Sequence, residues 1–246
     1  MKDINVSLDI LENLFDRAKE CDEFEFCCTL LRVKGLEDYG WDPLLESDEL
    51  ISQFSRLLEL PIKDIFKMRT LLFLYSHTTE IDDFYNITAN LIRIIMGERY
   101  VLNPFKPELH PSGQAAYSPK SKIERINEWS QEVNMNDLGE VYNSFLIKQV
   151  RNAFFHSDYV LSNNEFRIIK GEKINIDGKI TSSINYSLLI PRIELALNLV
   201  RKLISLVNKY RSSYREEKVI KPKLFNETDS VKLLVNETGL VGFKIL

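Results

Sequence analysis

The sequence predicts a mainly α-helical fold, and three observations carry that expectation. Apolar residues recur at i+3/i+4 spacing over long segments, as in Leu8, Leu11, Phe15 and Ala18, and again in Ile193, Leu197, Val200, Ile204 and Val207. Pro and Gly are clustered: residues 62–96 hold neither, while 103–119 hold four Pro and one Gly. Alternating patterns with turn residues are confined to short stretches near 163–186 and 231–246.

In chain order, 7–34 reads as a helix with Ser7 as its N-cap. Residues 35–43 connect it to a second helix that opens at Ser47-Asp48-Glu49 and ends near Pro61. Thr78-Thr79 and Asp82-Asp83 interrupt the next apolar stretch, which predicts helices over 62–77 and 79–97. The proline-rich stretch 103–119 reads as a long loop. Two more helices are expected over 120–131 and 137–155.

Residues 163–186 alternate around Asp177-Gly178, which predicts a β-hairpin. Pro191 suits the first position of a long helix over 191–211. A second hairpin is expected around Thr238-Gly239. Short connections between helices favour antiparallel packing. The expected fold is therefore an antiparallel helical bundle with one or two small β-hairpins. Its parts are an acidic helical segment over 1–60, a helical domain over 61–215 and a tail over 216–246.

Composition excludes several classes. With 44% hydrophobic and 28% charged residues, the chain is neither disordered nor low in complexity. It contains no apolar run of about 18 residues. Its first residues, Met1-Lys2-Asp3, resemble no signal or transit peptide, so a cytoplasmic protein with no membrane partner is expected. Cys21, Cys27 and Cys28 are too few for a disulfide framework, and Cys27 and Cys28 read as small buried side chains. The histidines, His77, His110 and His156, lack zinc-ligand spacing, so neither metal nor cofactor is implied.

Formal net charge is -4, which by itself argues against a nucleic-acid partner. That figure hides two unlike parts. Residues 1–60 hold 6 basic and 15 acidic side chains, while 61–246 hold 26 and 21. The acidic segment either shields the basic part or forms a solvated layer.

One constellation carries chemistry: Arg151-Asn152-Ala153-Phe154-Phe155-His156, followed by Ser157-Asp158-Tyr159. On a continuous helix, Tyr142, Leu146, Ile147, Val150, Ala153 and Phe154 form an apolar arc. Lys148, Gln149, Arg151, Asn152 and His156 form the opposite arc, with Val141, Phe145 and Phe155 among them. Such interleaving marks a surface that meets a partner. Arg is a fixed donor fork for phosphate oxygens. His moves protons near neutral pH, and Asn orients an imidazole or donates to an oxyanion. Together these suit RNA transesterification, in which the ribose 2′-hydroxyl is the nucleophile. An Arg and a His at a helix end also commonly cap carbonyls or pair with acids.

The run Arg151-Asn152-x-x-x-His156-Ser157-Asp158-Tyr159 resembles the signature of the HEPN superfamily of helical proteins, whose ribonuclease members carry Arg, four to six residues, then His. The likeness is close over about ten residues and architectural over roughly 60–215; neither end of the chain takes part. The resemblance implies an endoribonuclease that works without a metal, with Arg151, Asn152 and His156 as catalytic residues. It implies products with a 2′,3′-cyclic phosphate, and a homodimer whose two motifs form one composite site. A role as a toxin or anti-phage effector, with an antitoxin or regulatory partner, goes with it. Some HEPN proteins only bind RNA, a nucleotide or a protein, and that is the alternative here.

Lys148, Asp158 and Tyr159 are candidate substrate contacts. Asp158 either orients His156 or caps the segment after the helix, and Tyr159 either stacks on a base or is buried. Phe145 and Phe155 either line a twofold interface or are covered by the following helix. Glu80 is placed to pair with Arg151. His77, near Asp82 and Asp83, is either part of a second patch or a paired histidine at a helix junction. His110 reads as a turn residue. Arg201, Lys202, Lys209, Arg211, Arg215, Lys218, Lys221 and Lys223 either track an RNA backbone or are a solvated helix end.

Overall fold

The computed structural model describes residues 4–32, 42–105, 108–109, 115–116, 118–176, 178–223 and 230–246. The expected helix over 7–34 is two helices, α1 (Ile4–Cys21) and α2 (Glu23–Leu31). Ser7 lies inside the first turns of α1 and does not cap it. Asp22 makes the break: its Oδ1 accepts the N–H of Phe24 at 3.0 Å and of Glu25 at 3.1 Å, which starts a new helix. Arg32, at φ 47°, ends α2 in the left-handed region. Most of the expected connection over 35–43 lies outside the described residues.

Helix α3 (Pro43–Glu59) starts before Ser47 because Pro43 takes its first position, where a missing N–H costs nothing. The next two, α4 (Asp64–Thr78) and α5 (Asp82–Ile95), part where the sequence predicts. Within the expected loop, β1 (Glu108–Leu109) pairs with β2 (Ala115–Ala116). Helix α6 (Pro119–Glu132) is capped by Ser118, whose Oγ accepts the Ser121 N–H at 3.1 Å.

The expected helix over 137–155 is also two, α7 (Asn136–Phe145) and α8 (Lys148–Phe155). Tyr75 explains the break. Its hydroxyl donates to the Phe145 carbonyl at 2.9 Å and accepts the Ile147 N–H at 2.6 Å. A buried side chain thus satisfies backbone groups that a continuous helix would satisfy internally.

After α8 come β3 (Tyr159–Leu161), β4 (Glu165–Ile168), β5 (Ile174–Ile176), β6 (Lys179–Thr181) and β7 (Ser183–Asn185). The expected hairpin is β5–β6, with Gly178 at φ +80° in its turn. It is inserted in a three-stranded antiparallel sheet of order β3-β4-β7. Helix α9 (Tyr186–Ser213) begins five residues before Pro191, which sits inside it. The helix starts early because β7 runs straight into it, and the Tyr186 N–H is held by the Asn164 carbonyl at 2.8 Å. Finally β8 (Lys218–Ile220), β9 (Val231–Asn236) and β10 (Gly239–Ile245) form an antiparallel sheet; β9–β10 is the expected second hairpin.

Two compact units result. One comprises Pro43–Ile81 and Tyr142–Arg201; the other comprises Lys2–Asp42, Asp82–Val141 and Lys202–Leu246. In the first, Leu72, Leu74, Tyr75, Phe145, Val150, Phe166, Leu189 and Ile193 are buried. In the second, Phe15 lies between Phe26 and Tyr210, with ring centroids 6.1 and 5.3 Å away. Gly139 in α7 is needed where α6 approaches: a Cβ there would lie 2.8 Å from the Asn127 Cα.

Candidate functional site

Helix α8 belongs to the first unit and packs on α4, with Val150 and Ala153 buried. Arg151 lies on its half-exposed side, and three groups fix its guanidinium. Nη2 is ion-paired to Glu80, as the sequence predicts. Nη1 donates to Asn152 Oδ1 at 2.7 Å, and the guanidinium lies 5.3 Å from the Phe155 ring centroid. Its Nε is buried with no hydrogen-bond partner. Asn152 thus orients the arginine; what it shares with His156 is a backbone bond, from the His156 N–H to the Asn152 carbonyl at 3.0 Å.

His156 is the C-cap of α8. Ser157 follows at φ 58°, in the left-handed region usually given to Gly. The Ser157 N–H reaches the Phe154 carbonyl at 3.2 Å and the Asp158 N–H reaches the Ala153 carbonyl at 2.9 Å. This is a Schellman turn, and it stops the helix at the histidine. The His156 side chain is exposed and has no hydrogen-bond or ion-pair partner among the described residues.

The remaining candidates divide. Asp158 serves the turn and the strand through its backbone, its carbonyl accepting the Ile169 N–H at 2.9 Å; its carboxylate is not bonded to His156. Tyr159 is already stacked: its ring lies parallel to Phe166 at 5.0 Å and near Phe154 at 5.4 Å. Lys148 opens α8, two turns before His156, and pairs with Glu172 at 3.5 Å.

The break at 146–147 also changes the expected faces. Phe145 is fully buried and Val141 nearly so, while Phe155 is 52% exposed. Of the apolar residues expected among the charges, Phe155 remains on the surface. The sequence reading missed Tyr75, which sits in an apolar run and reads as core. A buried phenol needs a hydrogen-bond partner, and that was the available signal.

His77, in the last turn of α4, has its Nε2 buried without a partner, and burial holds its pKa below the ordinary imidazole range. It makes no ion pair among the described residues, so it is not a paired junction histidine. His110 lies outside the described residues.

Of the basic residues toward the C-terminus, Lys202, Lys209 and Lys218 are paired with acids. Arg201 donates to Ser55 Oγ at 2.5 Å within the first unit. In the second unit, Glu12 pairs with Lys202 at 3.0 Å and with Lys209, and Glu23 pairs with Lys218 at 2.6 Å. Hydrogen bonds from Lys209 and Lys202 hold the Glu12 carboxyl below its usual range. The acidic N-terminal helices therefore neutralise the three lysines Lys202, Lys209 and Lys218 of this stretch.

Among the described residues, no helix is long and apolar enough to cross a membrane, and no three His, Cys, Asp or Glu side chains cluster to hold a metal. No family model, curated protein or solved structure matches the chain. Fold and site together define a mainly helical protein that presents an oriented arginine and an uncommitted histidine on one short helix.

Proposed function

We propose that this chain is an endoribonuclease of the HEPN type, built on an antiparallel helical bundle and acting by transesterification. One observation carries the reading: one short helix holds Arg151 at its middle and His156 at its C-cap, the first fixed and the second exposed without a partner among the described residues. Arg151 would draw in and stabilise the phosphate as negative charge develops on it. His156 takes the proton of the ribose 2′-hydroxyl as the 2′-oxygen–phosphorus bond forms. The phosphorus–5′-oxygen bond breaks, and the leaving oxygen receives a proton. One histidine does not serve both transfers in one step. A homodimer that joins two motifs would supply the second, and the exposed Phe155 beside the motif suits such a contact.

One observation favours the non-catalytic alternative: Glu80 occupies Arg151 and competes with a phosphate. The two readings separate in one assay. Purified protein, incubated with single-stranded RNA in EDTA, cleaves it, and His156→Ala and Arg151→Ala each lower the rate about 10²–10⁴-fold. Binding without cleavage supports the alternative, and undiminished cleavage by both variants removes the site assignment. A role as a toxin or anti-phage effector, restrained by a partner protein, predicts growth arrest on expression that His156→Ala relieves.

A further inference from the structure

The first unit contains a cavity of about 590 Å³, lined by Asn143, Ser144, Leu146, Ile147, Asn175 and Ile176 and by the α9 residues Ser187, Leu188, Pro191 and Arg192. Its volume falls in the usual range for small-molecule sites, about 300–1,000 Å³. The lining is chemically selective. Among the described residues that line it, Arg192 is the charged one; Asn143, Asn175, Ser144 and Ser187 are neutral hydrogen-bonding groups, and the others are aliphatic.

Arg192 is placed and available. Its Nη1 donates to the Leu188 carbonyl at 2.9 Å, which lays the side chain along α9. It has no carboxylate partner among the described residues, and most of its N–H donors remain uncommitted. An arginine that lacks an acid beside a concave surface is suited to an anionic ligand. Pro191 adds an acceptor. It has no N–H to give the Ser187 carbonyl one turn earlier, and both residues line the cavity. The lining also includes Leu146 and Ile147 at the α7–α8 break, where the Tyr75 hydroxyl bonds Phe145 and Ile147. Ile147, at the start of α8, provides no side-chain cap for that helix.

We propose that this cavity is a binding site for a small organic monophosphate, with the phosphate on Arg192 and a hydrogen-bonding body contacting the Asn and Ser side chains. The anionic group answers the single positive charge. The carboxamides of Asn143 and Asn175 offer both donors and acceptors to a hydroxylated or heterocyclic body, and the aliphatic residues cover its apolar faces. The inference does not depend on cleavage by His156.

Calorimetric titration of the full chain with AMP, ribose 5-phosphate, adenosine and inorganic phosphate tests it. AMP or ribose 5-phosphate binds the wild type. Arg192→Gln weakens that binding about tenfold or more, and adenosine binds about tenfold more weakly than AMP. Asn175→Ala, on the exposed hairpin, weakens the ester without a matching effect on inorganic phosphate. His156→Ala binds as the wild type does, so a failed cleavage reading leaves this result untouched. Three results would overturn the proposal: neither ester binds, Arg192→Gln binds as tightly as the wild type, or inorganic phosphate binds as tightly as both esters.

Discussion

Two cationic regions of this chain look alike in sequence and differ in structure. In the stretch from Lys202 to Lys218 the three lysines are matched by acids: Glu12 takes Lys202 and Lys209, and Glu23 takes Lys218. In the first unit, among the described residues, Arg192 has no acid partner and the His156 side chain has no hydrogen-bond or ion-pair partner, while Arg151 is fixed by Glu80 and Asn152 with its Nε left over. The comparison teaches that a count of basic residues locates charge but not availability. A matched lysine has spent its attraction within the fold, while an arginine held by side chains keeps a defined direction toward a ligand.

That contrast can be broken in graded ways. The largest expected effect is at Arg151. Arg151→Lys keeps the charge but loses the planar fork that reaches Glu80 and Asn152, so RNA cleavage falls about 10–100-fold with the fold intact by circular dichroism. Next is Tyr75→Phe, which removes the hydroxyl that joins Phe145 to Ile147 and so loses both of these buried hydrogen bonds. Urea denaturation should show a loss of about 1–3 kcal/mol. If the matched region is only structural, Lys209→Gln leaves the urea midpoint at low salt and the cleavage rate essentially unaltered; a strong loss of RNA binding would show that the pairing with Glu12 opens in solution.

The smallest effect is a pH dependence. Burial lowers the pKa of His77 from its ordinary value of 6.5, so the unfolded chain holds more protons than the folded one as pH falls below that value. The stability His77 contributes is full above about pH 6.5 and declines as pH drops toward the folded value. His77→Leu should flatten that part of the stability curve, as followed by urea midpoints from pH 8 to 5.

Much of the fold was legible in the sequence, because i+3/i+4 spacing and alternation are local signals. The β5–β6 and β9–β10 hairpins and the parting of α4 from α5 followed from them. The two helix breaks did not. At Asp22 the signal existed, since an aspartate followed by two N–H donors is an N-cap, but the apolar spacing runs through it. At Leu146-Ile147 the cause is a tyrosine about 70 residues earlier, which no local pattern reveals. That break turned Phe145 into the core, so the arcs drawn on one continuous helix mixed buried with exposed residues. The two prolines differ: Pro43 is the first residue of α3, while Pro191 lies inside α9, whose start is set by the strand before it. At the site, the Glu80–Arg151 pair was legible from complementary charge. The roles of Asn152 and Asp158 were not, because they depend on the turn that ends α8.

If Arg151 and His156 act as a pair in RNA transesterification, the chemistry of the product ends reports it. Wild-type protein in EDTA should leave a 2′,3′-cyclic phosphate on one fragment and a 5′-hydroxyl on the other, and His156→Ala should leave the RNA intact. A 3′-hydroxyl with a 5′-phosphate, or the same products from His156→Ala at an unchanged rate, would contradict it.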